Sequence, residues 1–186
     1  AFNEGAVRAY EKSLITITEL AMALCTSHTG RRPIQISQLR VIDVLCGKNE
    51  KGEPFYVLNV PRAKQRSSSF RTKFKPYAMT QELWAILSAQ ARNAITQVEN
   101  RLGIELQEAD RLQTPLFPDL DVLATVHSPY EFRQLLATDK LHIASVKITQ
   151  KLQLIVEVSD VCSERTGERL NINARRFRYT TGTRAA

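Results

Sequence analysis

The sequence has few cysteines and histidines, and they do not show the spacings of disulfides or metal ligands. Its three cysteines, Cys25, Cys46 and Cys162, are an odd number and lie far apart in the chain. Reduced thiols in an intracellular protein are the expected state of such residues. The three histidines also lack the close spacing of zinc ligands. We therefore expect neither a disulfide framework nor a metal site.

Long hydrophobic runs are lacking as well. A membrane-spanning helix needs about 18 or more consecutive apolar residues, whereas the longest uncharged run extends only from Leu20 to Gly30. The 186 residues are 43% hydrophobic and 24% charged, which excludes a disordered chain and suffices for a core. The net charge of +7 suits a folded domain that binds a polyanion rather than a membrane.

Hydrophobic periodicity predicts a mainly α fold with a small antiparallel β-sheet (α+β), in a single domain over 1–186. Helices are predicted over 14–28, over 81–102 and over 129–137, with Thr80 and Ser128 as N-caps of the last two. A short helix opens at Pro33, and Asn173 is expected to cap a last helix. Segment 147–158 fits either a helix or a strand. Strands are predicted at 41–45, 55–60 and 70–78, and the acidic, proline-containing segment 103–127 is expected to be a surface insertion.

Basic residues concentrate in three places. The segment from 62 to 75 has six basic residues and no acidic one, which predicts a hairpin whose end lies against phosphates. Two further groups lie at 31–32 and near the C-terminus. One such group is typical of a solvated surface, but three without matching acids favour binding to nucleic acid, whose affinity depends on phosphate neutralisation. The predicted DNA contacts are Arg31, Arg62, Arg66, Arg71, Lys73 and Arg176.

Two short segments carry a more specific signal. Residues 29–44 read TGRRPIQISQLRVIDV, and residues 175–186 read RRFRYTTGTRAA. The first resembles the Thr-Gly-x-Arg turn, apolar helix and Leu-x-x-x-Asp strand entry of the tyrosine recombinases, the phage-integrase family. The second is similar to that family's His-x-x-Arg box, and Lys64 lies between the two, as the family's hairpin lysine does. The resemblance covers about residues 14–80 and 160–186.

The resemblance implies a DNA breaking-rejoining catalytic core that exchanges strands without a metal or any other cofactor. A tyrosine attacks a phosphodiester and leaves a 3′-phosphotyrosyl link, while Arg32 and Arg178 bind the non-bridging oxygens. Lys64 protonates the leaving 5′-oxygen, and Arg175 contacts the phosphate. The implied partners are double-stranded DNA and further copies of the protein in a tetrameric synapse. The implied location is the bacterial cytoplasm, with the nucleoid.

Two residues depart from the family's pattern. Arg175 stands where the family has histidine, and Gln35 stands where the first box usually has glutamate. We also expect the nucleophilic tyrosine beyond Ala186, so that this chain is a truncated catalytic domain that binds DNA weakly and cleaves nothing. The alternatives are a type IB topoisomerase and a non-catalytic DNA-binding protein that kept the fold.

Overall fold

A computed structural model of the protein describes residues 1–62, 71, 73–163, 166–170, 172 and 177. These residues are mixed α+β, with helices and a small antiparallel sheet as the sequence predicts. They fall into two compact units, Ala1–Ile36 with Ser145–Ala186, and Ser37–Ala144, where the sequence predicts one domain. The described elements are α1 (Phe2–Glu11), α2 (Ile17–Thr29), α3 (Pro33–Ser37), a 3-10 helix (Val41–Asp43), β1 (Val44–Lys48), β2 (Pro54–Pro61), β3 (Phe74–Ala78), α4 (Gln81–Leu102), α5 (Glu108–Gln113), α6 (Leu120–Leu123), α7 (Pro129–Ala137) and α8 (Ser145–Ser159).

The first unit is built on the mutual packing of α1, α2 and α8. The Thr16 side chain accepts a hydrogen bond from the backbone N–H of Glu19, whose carboxylate accepts the N–H of Thr16 in return, so a capping box begins α2. The same carboxylate binds Lys151 Nζ on α8 at 2.7 Å. Segment 147–158, which fits helix or strand by sequence, lies within α8. Its buried side chains recur three and four residues apart, at Ile148, Leu152, Ile155 and Val156.

The second unit contains the sheet, in the order β1-β2-β3 with antiparallel neighbours. Val44, Leu58 and Tyr77 are opposite one another in this register, and residues opposite in adjacent strands share a face. Tyr56 on that face packs against Trp84 of α4, with ring centroids 5.0 Å apart. Helix α4 therefore covers one face of the sheet.

Segment 103–127 is not a surface insertion. Its apolar residues Leu106, Leu123 and Val126 are buried in one cluster with Val98 of α4 and Phe132 of α7. Leu116 and Phe117, between its two prolines, are also fully buried. Of the acidic residues that suggested a surface excursion, Glu105, Glu108 and Asp121 are exposed, whereas Asp119 is buried. Among the described helices, none has the length and apolar character that crossing a membrane requires.

Candidate nucleic-acid interface

The turn between α2 and α3 fixes the first pair of predicted site residues. Helix α2 ends at Gly30, which has a left-handed φ of 59° and donates its N–H to Thr26 O at 2.9 Å. Glycine adopts this conformation without steric penalty. The Thr29 hydroxyl donates to Cys25 O at 2.6 Å and accepts the N–H of Arg31 at 3.3 Å. The backbone that carries Arg31 and the next residue is therefore held by hydrogen bonds on both sides.

Arg32 directly precedes α3. Its carbonyl accepts hydrogen bonds from the backbone N–H groups of Gln35 and Ile36, at 2.8 and 3.2 Å. The buried Gln35 side chain in turn accepts the N–H of Arg32 through its amide oxygen, at 3.4 Å. Gln35 thus makes the backbone contact that a glutamate would make at this position, but without a negative charge. Both features anchor the backbone of Arg32 without using its guanidinium group.

Neither Arg31 nor Arg32 is neutralised within the described residues. No carboxylate there lies within ion-pair distance of either guanidinium group. In addition, Nε of Arg31 is buried without a hydrogen-bond partner in that part of the chain. A buried N–H group usually donates a hydrogen bond to an acceptor, and an anion is a suitable acceptor. The pair is therefore available to bind a phosphate.

The predicted basic hairpin is described only at its base. The antiparallel register of β2 and β3 continues through a hydrogen bond from Arg62 N to Lys73 O, at 2.9 Å. Both side chains are exposed, and neither has an ion-pair partner in the described part of the chain. They project two unpaired cations beside each other, which suits contact with a DNA backbone. Two other predicted residues, Lys64 and Arg66, lie outside the described residues.

Arg71, a predicted DNA contact, is already bound within the protein. Its guanidinium group forms a bidentate ion pair with Asp43, with both N–O distances at 2.9 Å, and also donates to Gln38 O at 2.9 Å. It lies 5.1 Å from the centroid of the Phe74 ring. The Arg71 side chain is only 13% exposed, and that of Asp43 is 4% exposed. Because the charge is paired, shielded and hydrogen-bonded within the protein, Arg71 has little left to offer a phosphate.

A second polar cluster, which no sequence pattern indicates, lies near this ion pair. Arg40 binds Asp139 at 2.6 Å and also donates to the Gln113 side chain. Buried His142 lies within 2.7 Å of Ser37 O through Nδ1, which must be the donor because a carbonyl only accepts, and Nε2 is 3.6 Å from Asp139. These partners are distant in sequence, so no local spacing pattern reveals them.

His142 is uncharged at neutral pH. The pKa of His142 is lowered to about 4, mainly by burial and also by the positive charges of Arg40 and Arg71, against the opposing effects of Ser37 O and Asp139. A neutral ring donates through Nδ1 and cannot bind the Asp139 carboxylate as a cation. The histidine therefore has a structural role in holding the segment that follows α3.

The second predicted box lies outside the described part of the chain, and this includes Arg175, Arg176, Arg178 and the cap at Asn173. Its one described residue, Phe177, packs against Phe2 of α1 with ring centroids 5.0 Å apart.

Within the described residues, no three histidine, cysteine or acidic side chains are grouped as metal ligands. The three cysteines are unpaired, and burial raises the pKa of the Cys25 thiol to about 12. Comparisons of the chain with protein-family models, with curated proteins and with solved structures found no match.

Proposed function

We propose that this chain is the catalytic core of a DNA strand transferase of the tyrosine-recombinase type, acting in site-specific recombination or integration. The observation that carries the proposal is the geometry around Arg32. The left-handed Gly30 and the Gln35 amide anchor its backbone, while its guanidinium group has no carboxylate partner in the described part of the chain. This is what a residue that binds a phosphate in a transition state requires.

The proposed reaction is a transesterification without a metal. A tyrosine hydroxyl loses its proton to solvent water as its oxygen attacks the phosphorus, and the bond from phosphorus to the 5′-oxygen breaks. Arg32 and Arg178 bind the non-bridging oxygens with their paired N–H donors, and Arg175 contacts the same phosphate. Lys64 gives a proton to the leaving 5′-oxygen. The 3′-phosphotyrosyl link conserves the energy of the broken bond, so that a second strand's 5′-hydroxyl reverses the step without ATP.

The proposed partner is double-stranded DNA, bound through its phosphates. The exposed side chains of Arg62 and Lys73, which have no ion-pair partner among the described residues, support this, as does the net charge of +7. Arg31, Arg66 and Arg176 are proposed to add further phosphate contacts. The proposal places the protein on DNA in the bacterial cytoplasm and, for strand exchange, as a tetramer around two duplexes.

A substrate with sulfur in place of the 5′-bridging oxygen tests the proposed roles. The full-length protein is incubated with randomised duplexes of this kind, and covalent protein–DNA adducts are isolated. Because a thiolate leaves without needing a proton, Lys64→Ala should form adducts with the sulfur substrate and fail with normal DNA. Arg32→Ala should lose about a hundredfold in rate on both substrates. Equal losses for both variants on both substrates would contradict these roles.

A non-catalytic DNA-binding protein on the same fold is the second candidate. The neutral Gln35 beside Arg32 favours it, because a carboxylate that would orient the neighbouring basic groups is missing. In the same experiment, duplex binding without any adduct would support this candidate over the enzyme. Adducts together with relaxation of a supercoiled circle, and no joining between two duplexes, would indicate a type IB topoisomerase instead.

A further inference from the structure

We infer that Arg71 is a positioning residue that fixes the base of the basic hairpin through Asp43, and that it does not bind phosphate itself. The inference rests on the proposed function in one respect, since it assumes that the cations of the hairpin bind DNA. It assigns to Arg71 a different role from that of its basic neighbours Arg62 and Lys73.

The Asp43 carboxylate joins two separate parts of the second unit. Oδ2 accepts the backbone N–H of Arg40 at 2.8 Å, so the carboxylate caps the 3-10 helix that leads into β1. Both of its oxygens also accept hydrogen bonds from Arg71, at 2.9 Å each. One buried side chain therefore holds the entry to β1 and the residue at which the chain returns toward β3.

The bond from Arg71 to Gln38 O strengthens this link. Gln38 lies just after α3 and Asp43 ends the 3-10 helix, so Arg71 binds both ends of the segment 38–43. Arg71 makes these contacts with a φ of 77°, a conformation that is unfavourable for residues other than glycine. Such a backbone conformation persists only where the surrounding contacts hold it, and here the ion pair provides them.

Arg71 is close in sequence to the exposed cations at the base of the hairpin. It lies two residues before Lys73, whose carbonyl accepts the N–H of Arg62. The chain from Arg62 to Arg71 contains Lys64, and the anchoring of Arg71 fixes where that chain ends. Arg62 and Lys73 stay tied to β2 and β3 by their backbone hydrogen bond, so loss of the anchor would loosen only the chain before Lys73. The cations would still meet phosphate, but the hairpin would have to be ordered on binding, which weakens affinity without removing a contact.

Removal of the negative charge of Asp43 tests whether Arg71 binds phosphate or positions the hairpin. If Arg71 bound phosphate, Asp43→Asn would free its guanidinium group and make the protein more positive, so DNA binding would strengthen. If Arg71 positions the hairpin, Asp43→Asn should weaken binding although it removes a negative charge. We expect Asp43→Asn and Arg71→Gln each to raise the Kd for a random-sequence duplex about tenfold. The double variant should be no weaker than either single variant.

Two further variants separate positioning from phosphate contact. Lys73→Gln removes an exposed cation from the same hairpin and should reduce the slope of log K against log salt by about 0.9, whereas Arg71→Gln should leave the slope unchanged. Arg71→Lys keeps the charge but not the paired donors, and it should fail to restore binding. All measurements are made at a temperature at which circular dichroism shows each variant folded.

The outcomes distinguish the inference from the proposed function. Stronger binding by Asp43→Asn, or a slope reduced by Arg71→Gln, would overturn the positioning role and leave the proposed function in place. Absence of duplex binding by the unmodified chain would overturn the proposed function, and the inference with it. Weaker binding by both single variants at an unchanged slope would support the inference.

Discussion

Asp43 and Arg71 are 28 residues apart in the sequence, and their side chains form a buried bidentate ion pair with N–O distances of 2.9 Å. The pair connects the end of the first sequence box to the basic hairpin, two features that the sequence presents as independent. Removal of one member leaves a buried charge without its partner, which is more damaging than the absence of both.

Breaking this ion pair should destabilise the protein. We expect Asp43→Asn to lower the free energy of unfolding by about 3 kcal/mol, because Arg71 would remain charged and shielded from water. Urea denaturation at neutral pH measures the change. The matched control is Asp160→Asn, which breaks a pair with Arg169 in which both side chains are mostly exposed, and it should leave stability nearly unchanged. Equal effects of the two substitutions would show that the Asp43 pair is solvated.

Stability should fall on acidification because of His142. Its pKa in the folded protein is about 4, below the usual 6.5, so the unfolded chain binds a proton more readily between these values. The stabilising contribution is complete above pH 6.5 and decreases as the pH falls toward 4, by about 2.5 kcal/mol between pH 7.5 and 4.5. His142→Gln should remove this component. Urea denaturation at both pH values measures it, and an identical pH dependence in the variant would contradict the assignment.

Substitution of Gly30 by alanine should lower both the stability of the protein and its affinity for DNA. Alanine at its left-handed φ of 59° should lower the free energy of unfolding by about 1 kcal/mol. It should also weaken duplex binding, since the turn that it forms carries Arg31 and Arg32. Gly103 is a matched control, because it ends α4 with a φ of 66° and a Cβ there would meet no atom within 4 Å. Gly103 is exposed, so Gly103→Ala should show the backbone cost of about 1 kcal/mol alone and leave binding unchanged.

Duplex binding should depend steeply on salt. Arg62 is exposed and has no ion-pair partner in the described part of the chain, so Arg62→Gln should reduce the slope of log K against log salt by about 0.9. Arg133 is also partly exposed but binds Asp110 at 2.9 Å. Arg133→Gln is therefore the control and should leave the slope unchanged. A flat salt response of the unmodified chain would show that phosphates are not the source of affinity.

Much of the secondary structure could be predicted because its signals are local. Thr80 and Ser128 cap α4 and α7 as expected, and both helices have the predicted bounds. Each of these starts depends on one side chain and the three residues after it, which the sequence displays directly. The strands were found with shifted ends: β1 is Val44–Lys48 rather than 41–45, because residues 41–43 form a 3-10 helix capped by Asp43.

Other features depend on contacts between distant residues and could not be predicted. Helix α1 has small residues, Gly5, Ala6 and Ala9, on its buried face, so its apolar stripe is weak in the sequence. Leu116 and Phe117 lie between two prolines, where no periodicity develops, although both are buried. In the candidate site, the sequence shows which residues are basic. Which of them can bind a phosphate depends on whether an acidic side chain already pairs with them. Arg71 shows this most clearly, since its partner Asp43 lies in another element.

A crystal structure of the chain bound to duplex DNA tests the central claim most directly. Arg32 and Arg178 belong to the two sequence boxes on which the proposed chemistry depends. The proposal predicts both guanidinium groups within hydrogen-bond distance of the non-bridging oxygens of a single phosphate. Guanidinium groups on different phosphates, or facing away from the DNA, would contradict a strand transferase.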